Sequence, residues 1–126
     1  MAKLKYFTYS EFDSPLEKGS GEKMQPEFLE KLYKARELAG IPFKITSGFR
    51  VPADIDRLKK KGYKVAKNSP HLGGWAADIA TLDSVSRFII LKALLDVGFN
   101  RIGMGSTFIH VDCDPSKAPF VIWGYY

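Results

Sequence analysis

Between Ser69 and Ile79 the chain reads Ser-Pro-His-Leu-Gly-Gly-Trp-Ala-Ala-Asp-Ile, and no other stretch constrains the fold so tightly. The glycine pair suits a tight turn, because glycine adopts backbone angles closed to other residues. Trp75 to Ala80 then reads as a short, mostly buried strand. An aspartate inside such a strand, Asp78, is costly unless it meets a strong partner, and a cation is one such partner. His71 precedes it by seven residues and is one of only 2 histidines in the chain. The other, His110, lies in the strand-like run Thr107 to Asp112. Two histidines and an aspartate are a donor set for zinc with a fourth position left for water. Alternation along the second strand puts His110 and Asp112 on one face and Ile109, Val111 and Cys113 on the other. That division implies a sheet with a core side and a working side. Spacing alone leaves two readings open, a metal triad and a pair of structural histidines.

Composition narrows the setting. A chain of 126 residues with 45% apolar and 26% charged positions is long enough for one core, so residues 1–126 are expected to form a single domain acting as a monomer. The lone cysteine, Cys113, excludes an internal disulfide and reads as a small buried thiol. Net charge is +5, and part of the excess clusters at Lys59, Lys60, Lys61, Lys64 and Lys67. Such a cluster is either a solvated face or a contact for an anionic polymer such as a bacterial wall. The chain shows no helix-turn-helix, finger spacing or aromatic stacking array, so a nucleic-acid partner is not expected. No apolar run reaches membrane-spanning length, the longest (Phe88 to Leu95) being interrupted by Lys92. The lysines at the N-terminus are not followed by an apolar segment of signal-peptide type, so the expectation is cytoplasmic synthesis, with release needed for action elsewhere.

In chain order, residues 6–24 offer a helical turn capped by Thr8 or Ser10 and then a loop, with Phe7 and Phe12 tying this arm to the domain. Pro26 at a first-turn position and Gly40 at the end bracket a helix whose stripe is Phe28, Leu32, Ala35 and Ala39. Glu27/Lys31 and Glu30/Lys34 pair on its outside. Pro42 to Ser47 alternates as a strand and leads to Gly48-Phe49-Arg50. Ala53 to Lys61 is a basic helix. Asp83 or Ser84 caps a helix to Val97, which is apolar nearly all round and is expected to be the central buried helix. Phe99 to Met104 and Thr107 to Cys113 form a hairpin about Gly105, and Val121 to Trp123 adds an edge strand. The order implies an α+β domain with a small, mainly antiparallel sheet and helices packed on one face.

The segment Ser69 to Ile79 resembles the S-x-H-x-x-G-x-A-x-D element of the zinc D-Ala-D-Ala carboxypeptidases. Their compact fold is shared with phage L-Ala-D-Glu endolysins, lysostaphin-type peptidases and the hedgehog signalling domain. Ile45 to Arg50 is similar to that family's S-G-[YF]-R element, and Phe108 to Asp112 to its closing ligand strand. The likeness runs in family order from about residue 7 to the end. It implies a hedgehog/DD-peptidase-like fold with His71, Asp78 and His110 as zinc ligands. Arg50 would bind the substrate carboxylate or the developing oxyanion, with Ser47 and Ser69 lining the site. The implied activity is hydrolysis of peptidoglycan peptides, as a D,D-carboxypeptidase or an endopeptidase, in a protein of phage or prophage type acting at the cell wall. One departure stands out. Many relatives carry an acid or a histidine two or three residues before the last ligand, as general base, where this chain has Phe108 and Thr107. The nearest carboxylate is Asp112, as base or as a partner that orients a ligand. A non-catalytic zinc module that binds the wall is the alternative.

Overall fold

The computed structural model describes residues 6–63 and 68–125. The N-terminal lysines and two members of the basic cluster, Lys64 and Lys67, lie outside the described residues. Five strands form one sheet: β1 (Ile45–Ser47), β2 (Ala76–Ala80), β3 (Arg101–Met104), β4 (Phe108–Asp112) and β5 (Val121–Gly124). Among the described residues their order across the sheet is β1-β2-β4-β3-β5, with only the β3–β5 pair parallel. The helices are α1 (Pro26–Ala39), α2 (Pro52–Lys60) and α3 (Ser84–Asp96), and 3-10 turns stand at Tyr9–Phe12, Ser20–Lys23 and Pro70–Gly73. The architecture is the α+β one expected. Among the described residues no helix is long and apolar enough to cross a membrane.

Side-chain alternation divides the sheet as the β4 pattern required. Ala77, Ile79, Ile102, Ile109 and Val111 enter the core beneath α1 and α3. Phe28, Leu29 and Leu32 of α1 and Ile90, Ala93 and Leu94 of α3 fill the space against them. Each large side chain buried there contributes about 1.5–3 kcal/mol. Phe7 and Phe12 fasten the N-terminal arm to the same core. In α1, Pro26 opens the helix and Gly40 ends it in the left-handed region. The Glu30–Lys34 pair forms at 3.8 Å, whereas the Lys31 ammonium lies over the Phe99 ring at 5.4 Å.

Three expectations need correcting. The helix α3 is not buried all round: it packs one face on α1, and Val85 and Phe88 point outward, Phe88 at 68% exposure. Apolar content shows which residues a helix can bury, but only a partner on each side buries them. The strand expected over 42–47 shrinks to Ile45–Ser47, because β1 is an edge strand and its register to β2 breaks between Ile45 and Ser47. The loop expected before α1 contains the 3-10 turn Ser20–Lys23, which Asp13 stabilises by accepting from the Gly19 and Gly21 N–H groups.

Candidate metal centre

On the other face of the sheet the paired positions Asp78 and His110 sit side by side on β2 and β4. Ser69 caps the 3-10 turn Pro70–Gly73 by accepting the His71 N–H, and this turn carries the His71 ring over the same point. Gly74 ends the turn at φ +78°, and a Cβ there would come within 2.7 Å of the Lys23 carbonyl. The stretch 48–50 then grips His71 twice. His71 Nδ1 meets the Gly48 carbonyl at 2.7 Å, and the Arg50 N–H donates to the His71 carbonyl at 3.0 Å. Gly48 must be glycine, since a Cβ would stand 2.6 Å from the Phe12 Cα.

The hydrogen-bonding partners decide where the ring protons lie. Facing a carbonyl, His71 Nδ1 carries the proton, so Nε2 presents a lone pair. His110 Nε2 faces Asp112 Oδ2 at 2.7 Å and donates to it, so Nδ1 presents its lone pair. Those two nitrogens face each other at 3.2 Å, with Asp78 Oδ1 at 2.9 Å from His110 Nδ1 and 3.2 Å from His71 Nε2. With both rings neutral, three electron-rich atoms thus converge in a buried place with no proton between them. A cation resolves that repulsion. Tetrahedral zinc with bonds of about 2.0–2.1 Å sets its ligands about 3.3 Å apart, close to the spacings found. The donor set and its dimensions fit zinc.

Charges around the triad support the arrangement. Burial alone would raise the Asp78 pKa, but the neighbouring imidazoles, His71 foremost and His110 with it, outweigh it and hold the carboxyl far below its ordinary range. Burial lowers the His71 pKa, keeping that ring neutral. Burial also opposes charge on His110, yet its hydrogen bond to Asp112 and the Asp78 carboxylate beside it win and its pKa is raised. Arg50 donates from Nε to Ser47 Oγ at 3.1 Å and from one terminal nitrogen to Asp78 Oδ2 at 3.4 Å. Burial lowers its pKa and Asp78 partly restores it. The guanidinium remains a cation at neutral pH.

All seven expected site residues border one cleft of about 910 Å³. His71, Asp78, His110 and Arg50 come together at its floor, while the Ser47 and Ser69 hydroxyls hold Arg50 and His71. Asp112 stands behind His110 with 0% exposure, its second oxygen taken by Arg101 Nε at 2.7 Å. Those surroundings suit a partner of His110 better than an acceptor of a proton from the cleft. Cys113 packs against the core, and burial pushes its thiol up to about 11.

Several site residues were not anticipated. Arg101 also donates to the Ala118 carbonyl and lies 5.3 Å from the Trp123 ring, which tilts against the His110 ring at 5.4 Å. Its position was legible, because it falls opposite Asp112 once the hairpin register is extended by one step. Asp54 is fully buried, accepting from Ser14 Oγ at 2.6 Å, Val51 N–H at 2.8 Å and Arg57 at 2.9 Å. No sequence signal marks it, since Ser14 lies 40 positions away.

The L-Ala D-Glu endopeptidase ChiX of Serratia marcescens has the same fold, with a TM-score of 0.59 at 18% identity over 72% of this chain and 80% of that one. The peptidoglycan L,D-endopeptidases MepK of Escherichia coli K12 and Shigella flexneri are each 29% identical over 98 residues, 75% of this chain and 53% of theirs. The chain therefore spans about half the length of the curated relatives it matches. A family model described as peptidoglycan L,D-endopeptidase MepK matches residues 11–118, which takes in His71, Asp78, His110, Arg50 and both serines. The chain belongs to that M15-type family of peptidoglycan peptidases.

Proposed function

We propose that this chain is a zinc-dependent peptidase that hydrolyses an amide bond in peptidoglycan peptides at the cell wall, as an endopeptidase. The observation that carries the reading is the convergence of His71 Nε2, Asp78 Oδ1 and His110 Nδ1 at the floor of an open cleft, beside a partly buried arginine. These three atoms would hold the ion. When bound, zinc supplies a Lewis acid and a water acidified toward neutral pH. The chain's own residues do the rest. Arg50 keeps donors free of Ser47 and Asp78, and these bind a substrate carboxylate or the developing oxyanion. Ser47 fixes the plane of the guanidinium, and Ser69 fixes the turn that carries His71. Asp112, neutralised by Arg101, keeps the His110 proton on Nε2 and so leaves Nδ1 as the ligand atom. Hydrolysis of an internal bond is preferred to trimming of a terminal D-alanine because the family description and the matched relatives are named as endopeptidases.

The test is digestion of purified muropeptides with zinc-loaded protein, read by liquid chromatography and mass spectrometry. Wild type is expected to release new peptide ends, and His71→Ala is expected to release none. Equal product from both, or none from either, overturns the proposal. One observation favours a second reading, a non-catalytic zinc module that binds the wall. Positions 107 and 108 lack an acid, and of the carboxylates bordering the cleft Glu11 is held by Thr8 while Asp13 caps Gly19 and Gly21. Stoichiometric zinc and wall binding without hydrolysis would select that reading.

A further inference from the structure

We propose that Tyr125 is a further catalytic residue, its phenol O–H donating to the carbonyl oxygen of the scissile amide from the side of the cleft opposite Arg50. The assignment rests on the peptidase reading above. The ligands Asp78 and His110 lie on the two adjacent inner strands β2 and β4, and the edges of the sheet supply the flanks. Arg50 arrives just after β1, at one edge. Tyr125 follows β5 at the other, its N–H donating to the Met104 carbonyl at 3.2 Å.

The Tyr125 ring does not stay at that edge. It crosses the neighbouring strand over Gly103, the residue paired with His110, and meets the Phe108 ring of β4 with centroids 5.2 Å apart. Gly103 makes the crossing possible. A Cβ there would lie 2.8 Å from Tyr125 Cε2 and 2.9 Å from the Trp123 indole. Trp123 meets the Tyr125 ring edge-on at 6.4 Å and itself leans on His110, so the phenol is steadied from two sides. Aromatic contacts of this kind fix a ring at the cost of only two side-chain torsions.

The phenol also shares the field of the centre. Burial pushes its pKa up to about 12, the Trp123 indole draws it back in part, and Asp78, Arg50 and Asp112 all act on it. At neutral pH it therefore keeps its proton and works as a donor, not as a base. Arg50 in turn is tied to Ser47 and Asp78 on the ligand side. A division of labour follows: the guanidinium recognises a full negative charge on the substrate, and the neutral phenol meets the charge that grows on the carbonyl oxygen during attack. Tyr125 lies beyond the residues matched by the family, which end at 118, so this donor is argued from the chain's own geometry.

Tyr125→Phe removes one oxygen and keeps every ring contact. The expected result is a fall in kcat of about 100-fold, with KM and zinc affinity within about twofold. A tetrahedral phosphinate analogue of the cleaved peptide should bind zinc-loaded Tyr125→Phe more weakly by a similar factor, and the cleaved product should bind equally well to both. An unchanged kcat overturns the assignment, as does a loss confined to KM or a loss of zinc affinity. Wild-type protein that cleaves muropeptides while Tyr125→Phe cleaves them equally well sinks this inference alone. A wild type that cleaves nothing sinks both it and the peptidase reading.

Discussion

Replacing Asp54 by alanine should unfold the link between the N-terminal arm and the loop that carries Arg50. The carboxylate is fully buried and answers three partners: the Ser14 hydroxyl at 2.6 Å, the Val51 N–H at 2.8 Å and Arg57 at 2.9 Å. A hydrogen bond to a charged buried group contributes about 1.5–3 kcal/mol, and loss of a helix cap costs about 1 kcal/mol. Arg57 is partly exposed, which limits that pair to at most about 1 kcal/mol. Because the three share one carboxylate they do not add fully, and the expected loss is about 2–4 kcal/mol, most of it from the buried Ser14 hydroxyl and Val51 N–H left without an acceptor. Urea titration followed by circular dichroism should show the midpoint falling with the slope unchanged. The pH dependence gives a second reading. Burial tends to raise the Asp54 pKa, but Ser14, Val51 and Arg57 together hold it below its ordinary value. A carboxyl depressed in the folded state stabilises fully above its unfolded pKa of about 3.9 and loses that contribution as pH falls through the folded value. The gap between wild type and Asp54→Ala should therefore close in acid. A loss below about 1 kcal/mol, or a gap that does not change with pH, would refute the reasoning.

Other expectations follow from the centre and its supports. Zinc affinity should be full above the raised His110 pKa and fall by about tenfold per pH unit below it, with proton release seen by calorimetry in buffers of different ionisation enthalpy. Asp112→Asn, which removes the charge that holds the His110 proton on Nε2, should weaken zinc binding by about 10–100-fold, measured by competition with a chelator, with little change in fold. Gly48→Ala should cost about 1–3 kcal/mol in thermal melts, since its Cβ meets backbone atoms of Phe12 at 2.6 and 2.7 Å, and zinc affinity should drop with it because the Gly48 carbonyl holds His71. Phe88→Glu should change stability by no more than about 0.5 kcal/mol, since that ring is 68% exposed.

The converging residues were legible because each signal was local. A glycine turn, an aspartate inside an apolar strand and an alternating strand with a histidine each carry meaning within about ten residues, and the hairpin supplies their register. The misreadings came from contacts between distant segments. Nothing within α3 distinguishes Phe88, which faces outward, from Ile90, which is buried, because the difference lies in where α1 and the sheet run. Asp54 reads as an ordinary first-turn acid until Ser14 is placed against it. The parallel pairing of β5 with β3 depends on the chain returning beside β3 after Pro115 and Pro119, which no pattern in Val121–Gly124 encodes.

The order of strands sets how the cleft can change. Asp78 and His110 sit on inner strands hydrogen-bonded on either side, whereas Arg50 and Tyr125 hang from the outermost ones, each bonded on one side only. Outer strands open at lower free energy than inner ones, so the flanks can breathe while the positions of Asp78 and His110 stay rigid. Substitutions along β1 or β5 can accordingly reshape what the groove admits without disturbing the spacing of His71, Asp78 and His110, and a lineage under changing demands would find its freedom at those two margins.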